Sequence, residues 1–208
     1  MAEKMHWTGR VISAQPRIRL IRSFDERGHE YLGYCLIVDG EVGDRVGEFS
    51  IGVGQAAYAK HEFQVGDEVC GQSLPVADER LQPVEFYKSS RLRVMEHSSQ
   101  REMEPPPWHG VLPDLKMYRW RGHRRLSART YQTRCRTCIW GCRMPVTMII
   151  DPWNPQYRYR FETFCYGPKS CPGYKPGPKR KVPGRRGMVY EEPDWLDDDV
   201  TMHRGWDE

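Results

Sequence analysis

No hydrophobic stretch of the 208-residue chain approaches the roughly 20 residues that a helix needs to cross a bilayer. Residues 1–7 also lack the apolar core of a secretory signal. Hydrophobic residues make up only 38% of the chain, which is little for one large, well-filled core. We therefore expect a cytoplasmic protein with no membrane association, built from two small modules, a polar linker and a tail.

Recognisable catalytic motifs are absent as well. Residues 52–58 lack both the final glycine and the Lys-Ser/Thr ending of a phosphate-binding loop. The chain has no Gly-x-Ser-x-Gly nucleophile turn and no His-Glu-x-x-His helix. The carboxylates between Asp194 and Asp199 cluster in the tail, where solvation is commoner than acid–base pairing. No catalytic residue is predicted, and the sequence favours a non-enzymatic function without excluding an enzyme.

Acidic residues are missing between Lys116 and Arg136, where eight basic residues occur. A second basic run, residues 175–186, precedes an acidic run at residues 191–199. Concentrated positive charge indicates a polyanionic partner such as nucleic acid, including RNA in a larger assembly. A solvated surface, or pairing of the basic and acidic tail segments with each other, would explain the same pattern.

Short strand-like segments separated by turn residues fill the first 95 residues. Alternating or β-branched patterns predict strands at residues 7–13, 17–22, 31–38, 48–53, 63–71 and 85–94. Turn residues occur at 25–28 and at Asp39-Gly40. The Ala-rich segment 55–61 is the one helix predicted here.

This order of strands, one short helix and further strands resembles the OB-fold family. The phrase Val-Gly-Asp-Glu-Val-Cys-Gly at residues 65–71 is similar to the turn and strand that follow the helix in many OB-folds. The resemblance covers roughly residues 1–95 and implies a small five-stranded Greek-key barrel. An SH3-like barrel or another small β-barrel remains an alternative.

The OB-fold resemblance implies a ligand face on the middle strands. Arginines there would meet phosphates, and tyrosines would stack on bases of single-stranded nucleic acid. With the basic segment beyond the linker, the predicted nucleic-acid-binding residues are Arg17, Arg19, Arg22, Tyr31, Tyr34, Arg121, Arg124 and Arg125. The alternative is that the tyrosines fill the barrel while the arginines keep an edge strand soluble.

The remaining chain divides by composition. Residues 96–110 form a linker ending in three prolines, residues 111–172 a basic, Cys-rich metal-binding module, and residues 173–208 an extended tail, Pro/Gly-rich and then acidic. Within the module we predict strands at 129–134, 145–150 and 157–164, the last two forming a hairpin. The tail is expected either to pack on the protein or to stay mobile, and to contact a protein partner.

Cysteines are concentrated in the module. Five of the seven lie there: Cys135, Cys138, Cys142, Cys165 and Cys171. The two-residue gap between Cys135 and Cys138 lets both sulfurs face one ion. Cys165 and Cys171 would close the site from the far end of the hairpin. This layout resembles a zinc ribbon, which implies structural zinc on four of the five. The wider spacing of Cys165 and Cys171, and Ile139 in place of a turn glycine, depart from that pattern.

A 4Fe–4S cluster is the alternative cofactor. Cys135, Cys138 and Cys142 form a close triplet, and Pro172 follows Cys171, as proline often follows the remote ligand in ferredoxin-like runs. Buried or free thiols without metal are a third interpretation. His109 and His123 have no metal-like spacing to the cysteines and are predicted to be surface histidines.

The sequence therefore predicts a mainly β protein: an OB-like barrel joined to a Cys-rich metal-binding hairpin and a tail. The predicted function is metal-stabilised binding of single-stranded nucleic acid or RNA. An iron–sulfur electron-transfer subunit of a larger enzyme complex and a structural assembly protein are the alternatives.

Overall fold

The computed structural model describes residues 3–23, 27–99, 107–154 and 156–208. The protein is mainly β, as predicted, and is built around one large mixed sheet. Within the described residues, no helix is long and apolar enough to cross a membrane. Residues 25 and 26 of the predicted turn and residues 100–106 of the predicted linker, including Pro105 and Pro106, lie outside the described residues.

The strands are long in the first half of the chain and short near its end. In chain order they are β1 Met5–Arg22, β2 Arg27–Val42, β3 Arg45–Val53, β4 Glu68–Pro75, β5 Phe86–Glu96, β6 Arg124–Arg125, β7 Gly141–Ile149, β8 Tyr157–Cys165, β9 Lys181–Pro183 and β10 Val189–Glu191. The helices are α1 Gln55–His61, α2 Leu115–Arg121, α3 Ala128–Thr130 and α4 Trp195–Asp199. Short 3₁₀ turns lie at Glu79–Leu81 and Arg185–Gly187, and a π-helical turn lies at Tyr131–Cys135.

The first five strands pair in a ring. Strand β1 is antiparallel to both β2 and β4, β2 pairs with β3, and β4 pairs with β5. A parallel contact between Ile51 of β3 and Phe86 of β5 completes the order β1-β2-β3-β5-β4. Helix α1 lies between β3 and β4 in the chain and agrees residue for residue with the predicted helix.

Two predictions in this region are wrong. The strands expected at 7–13 and 17–22 are one strand, β1, with register shifts after Val11 and Arg17 instead of a break. Asp39-Gly40 is not a turn, because Gly40 pairs with Gly9 inside the β1–β2 ladder. A Cβ at either glycine would collide with the backbone of the other strand, so Gly40 allows close strand approach and the turn falls at 43–44.

The Cys-rich segment adds its hairpin to the same sheet. Strands β7 and β8 are antiparallel from Gly141↔Cys165 to Ile149↔Tyr157, which confirms the predicted hairpin. Strand β7 also runs parallel to the end of β1, at residues 20–22. One hydrophobic core cluster contains residues of both halves, from Trp7 and Val11 to Met144 and Phe164.

The segment before the first cysteines is helical rather than extended. The strand predicted at 129–134 is wrong, because α3 and the π-helical turn occupy it. Ser127 starts this turn by accepting a hydrogen bond from the amide of Thr130. Helix α2, capped by the Asp114 carboxylate at the amide of Met117, is an element that the sequence analysis missed.

The tail packs on the rest of the chain. Strands β9 and β10 form a small hairpin, and Val182, Glu192, Thr201 and Arg204 are buried. Backbone hydrogen bonds join Ser127 to Lys175 and Ser170 to Trp206. Of the two expectations for the tail, packing on the protein is the one that the structure supports.

Candidate metal centre

Four of the five clustered cysteines line one pocket. Cys135, Cys138, Cys165 and Cys171 face a cavity of about 540 Å³. Trp108, Trp140 and Tyr174 contribute aromatic walls. Within the described residues, no set of three or more His, Cys, Asp or Glu side chains is gathered closely enough to hold a metal ion.

Three separate turns bring these thiols to the lining of the same pocket. Cys135 ends the π-helical turn, and the amides of Cys138 and Gly141 bond to the carbonyls of Cys135 and Cys138. Cys165 ends β8 directly opposite Gly141 of β7. Cys171 follows in a turn in which its amide bonds to the Pro168 carbonyl at 3.3 Å.

Gln15 of β1 holds the first cysteine turn in place. Its side-chain amide donates to the carbonyls of Cys135 and Cys138, at 2.7 and 2.9 Å. Its carbonyl oxygen accepts a hydrogen bond from the Tyr131 hydroxyl at 2.7 Å. Gln15 was not predicted as a site residue. Its only mark in the sequence is that it is a lone glutamine between two strand-like segments.

The sulfur environments are apolar but contain donor groups. Burial, and then the other three thiols of the pocket, raise the pKa of the Cys135 thiol to about 12. Burial likewise raises the pKa of Cys138 to about 12, against the effect of the nearby backbone N–H groups of Trp140, Trp108 and Gly141. The Gly167 amide donates to Cys165 Sγ at 3.3 Å. Such N–H groups would favour thiolates once a cation binds.

Cys142 is separated from the other four. It lies in β7 with its side chain fully buried, and its thiol donates to the Pro16 carbonyl at 3.4 Å. Burial raises its pKa, and the next largest influence comes from Cys35 rather than from the pocket cysteines. The set of four that the structure brings to one pocket is therefore the pair 135 and 138 with the pair 165 and 171.

Three buried arginines surround the Cys165 side of the pocket. Arg121, Arg124 and Arg204 are 7%, 8% and 4% exposed. They donate mainly to the backbone carbonyls of residues 166–168. Among the described residues, no Asp or Glu side chain forms an ion pair with any of them, and each retains a guanidinium nitrogen without a hydrogen-bond partner.

These arginines influence one another and the cysteine. Burial, and then Arg121 and Arg124, lower the pKa of Arg204 to about 10. Burial also lowers the pKa of Arg121, while Cys165 acts in the opposite direction. Glu208 supplies some counter-charge to Arg121 and Arg204. Four thiolates around a divalent ion carry a net charge of about −2 and would add to it.

The predicted ligand face of the barrel is largely occupied by internal contacts. Arg22 is fully buried and ion-paired with Glu162 and Glu192. Tyr34 is 4% exposed and stacks on Tyr58 with ring centroids 4.0 Å apart. The other predicted residues of this face, Arg17, Arg19 and Tyr31, are half-buried and contact Leu32, Glu30 and Arg119 respectively.

The basic segment divides into buried and exposed halves. Arg125 is buried and pairs with Asp194 and Asp197 of the tail. The predicted pairing of the basic and acidic tail segments is seen instead at Lys179–Asp194 and Arg180–Glu192. Arg121 and Arg124 belong to the buried group described above. The exposed members are Lys116, Arg119, Arg129 and Arg134, and Arg136 is half-buried with an ion pair to Glu48.

His123 is not a surface histidine, so that prediction is wrong. It is 5% exposed, and its ring packs edge-on against Phe164 and near His29, with centroids 4.5 and 4.7 Å apart. Burial, followed by His29 and nearby arginines, lowers its pKa well below the ordinary value. His123 is buried because its position between α2 and β6 places it against β8 in the core.

Comparison with protein-family models, with curated proteins and with solved structures gives no match.

Proposed function

We propose that this chain binds single-stranded nucleic acid or RNA and that a structural zinc ion stabilises its C-terminal half. Cys135, Cys138, Cys165 and Cys171 would hold the ion. The observation that carries this proposal is the convergence of these four thiols on one pocket, beside three buried arginines.

The surroundings of the pocket would favour thiolates around an ion, whereas the described thiols stand too far apart to bind one without rearrangement. Backbone N–H groups approach Cys138 and Cys165. Zinc bound by four thiolates has no open position, so it would supply folding energy and would not activate water. The protein's own contribution is to bring three turns together and to balance the thiolate charge with Arg121, Arg124 and Arg204.

The barrel interpretation rests on strand order. A ring in the order β1-β2-β3-β5-β4 with a helix between β3 and β4 is the arrangement expected of an OB-like Greek-key barrel. OB-like barrels commonly bind single strands through a basic surface with aromatic side chains. Exposed cations at Arg129, Arg134 and Arg143 would provide the electrostatic attraction.

The test is binding of labelled oligo(dT) and oligo(U) by fluorescence anisotropy over a series of salt concentrations. We expect affinity to fall linearly on a log–log plot as salt is added, because neutralised phosphates release counterions. Duplex DNA of equal length serves as the comparison and should bind less tightly. Absence of binding at low salt, or binding that does not respond to salt, would contradict the electrostatic mechanism.

An iron–sulfur centre on the same four cysteines is the second candidate, as in an electron-transfer subunit of a larger complex. The observation favouring it is the size of the pocket, about 540 Å³, with walls formed by Trp108, Trp140 and Tyr174. Aromatic walls shield such clusters from water and influence their reduction potential. Anaerobic purification with elemental analysis distinguishes the two: zinc in a colourless protein supports the first candidate, and iron with sulfide in a brown one supports the second.

A further inference from the structure

The outer face of β8 carries three aromatic side chains in a row. Tyr157, Tyr159 and Phe161 occupy alternate positions and so share one face of the sheet. Tyr157 is 50% exposed and Phe161 is 38% exposed. The rings of Tyr157 and Tyr159 are 6.5 Å apart with planes only 28° from parallel. We call these three residues the aromatic stripe.

Two arginines lie over the stripe. The Arg143 guanidinium, from β7, lies 3.8 Å from the centre of the Phe161 ring. The Arg80 guanidinium, from the loop between β4 and β5, lies 4.6 Å from the centre of the Tyr159 ring. Asp78 holds Arg80 through two hydrogen bonds, whereas no carboxylate in the described part of the chain pairs with Arg143.

The opposite face of β8 is used internally. Arg160 and Glu162 point toward the tail, where Arg160 donates to the Lys181 carbonyl and Glu162 pairs with Arg180. The tail therefore covers one face of the strand and leaves the stripe open. Arg143 also lines a separate pocket of about 310 Å³, which includes Glu48 and Glu85 and none of the stripe residues.

We propose that the aromatic stripe, with Arg80 and Arg143, is the surface on which single-stranded nucleic acid stacks. The inference rests on the proposed function and places its main contacts outside the residues predicted from sequence. Exposed rings at alternate positions of a strand stack on bases without regard to sequence, and adjacent guanidinium groups attract phosphates. The unpaired charge of Arg143 favours a polyanion over a neutral apolar partner.

The experiment compares stripe variants with matched exposed residues elsewhere. Tyr159→Ala and Phe161→Ala should each weaken oligo(dT) and oligo(U) binding roughly tenfold, because each removes one stacking platform. Phe161→Leu keeps an apolar side chain and should weaken binding similarly. Tyr190→Ala, which removes an exposed ring from β10, should leave affinity unchanged.

Charge is tested in the same way. Arg143→Gln should weaken binding and reduce the slope of log affinity against log salt by about one, because one phosphate contact is lost. Arg93→Gln, at an exposed position on β5, is the matched control. Circular dichroism and thermal unfolding midpoints establish that every variant folds.

The outcomes separate the two proposals. If the unaltered protein binds oligonucleotide and the folded stripe variants bind equally well, the stripe is not the site, and the proposed function stands without it. If the unaltered protein binds neither oligonucleotide, both proposals fail. If the stripe variants lose a copurifying protein while oligonucleotide affinity is unchanged, the stripe is a protein interface and the inference is overturned.

Discussion

Cys138 and Cys142 are four positions apart, yet they lie in different surroundings. Cys138 faces the shared pocket, whereas the Cys142 thiol donates to the carbonyl of Pro16 in β1. We predict that Cys138→Ser loses most of the bound metal, while Cys142→Ala retains about one ion per chain. Elemental analysis of the purified variants measures this directly. Equal metal loss in both variants would show that the four ligands have been chosen wrongly.

His29 illustrates how a residue buried among cations links stability to pH. Burial, then Arg27, Arg22 and Arg180, lower its pKa from 6.5 to about 4, and its ring packs against the more deeply buried His123. The unfolded chain therefore binds a proton below about pH 6.5 that the folded chain takes up only near pH 4. The contribution of His29 to the free energy of unfolding is fully present above pH 6.5 and is lost as the pH falls towards 4.

We therefore predict that the free energy of unfolding in urea is smaller at pH 5 than at pH 7.5. In His29→Asn this decrease should be smaller, because the substitution removes one of the two imidazoles. Comparing the two proteins at equal metal content separates the histidine from protonation of the cysteines. An identical pH dependence in the unaltered protein and in His29→Asn would show that His29 does not cause it.

At the scale of elements, a buried ion network attaches the tail to the sheet. Glu162 of β8 lies within ion-pair distance of Arg22, Arg160 and Arg180, and Glu192 of the tail contacts Arg22 and Arg180. Removing one carboxylate leaves buried guanidinium groups without their counter-charge. Such losses cost about 3–5 kcal/mol, far more than a solvent-exposed pair.

Glu162→Gln should accordingly lower the free energy of unfolding by about 3 kcal/mol or more and expose the tail to proteolysis. The matched control is Glu30→Gln, which breaks the half-exposed pair with Arg19 and should cost less than about 1 kcal/mol. Urea unfolding and limited trypsin digestion give the two readouts. A similar small effect in both variants would mean that the network does not hold the tail.

The elements differ in how far local sequence determines them. Helix α1 and the β7–β8 hairpin follow from Ala-rich composition and from alternation of side chains, which act within a few residues. The single long β1 could not be predicted, because its continuity depends on pairing with three other strands. Helix α2 was missed because its buried face, Leu115 and Tyr118, is short and is surrounded by basic residues.

The candidate site likewise combines features that local sequence predicts with features that depend on the fold. Spacing alone was enough to nominate the cysteines, but separating Cys142 from the set required knowing which face of β7 it occupies. Arg121 and Arg124 appeared to be surface charges, since composition does not reveal that the tail covers them. Their burial changes their expected role from contact with phosphate to charge balance beside Cys165.

At the scale of the whole molecule, β1 joins the two halves. It pairs with β2 and β4 in the ring and with β7 of the Cys-rich hairpin, and one core cluster contains residues from both sides. The separation of the chain into two modules, with boundaries at residues 95 and 110, stays a prediction. Because the two halves share a strand and a core, a metal ion that fixes the hairpin would also stabilise the ring of strands β1–β5.

X-ray absorption of the anaerobically purified protein at the zinc edge reports the metal and its ligands together. A zinc ion held by the four cysteines should give about one zinc per chain with four sulfur neighbours at about 2.3 Å. A chain that contains no zinc, or zinc bound mainly by nitrogen and oxygen, would contradict a centre formed by Cys135, Cys138, Cys165 and Cys171.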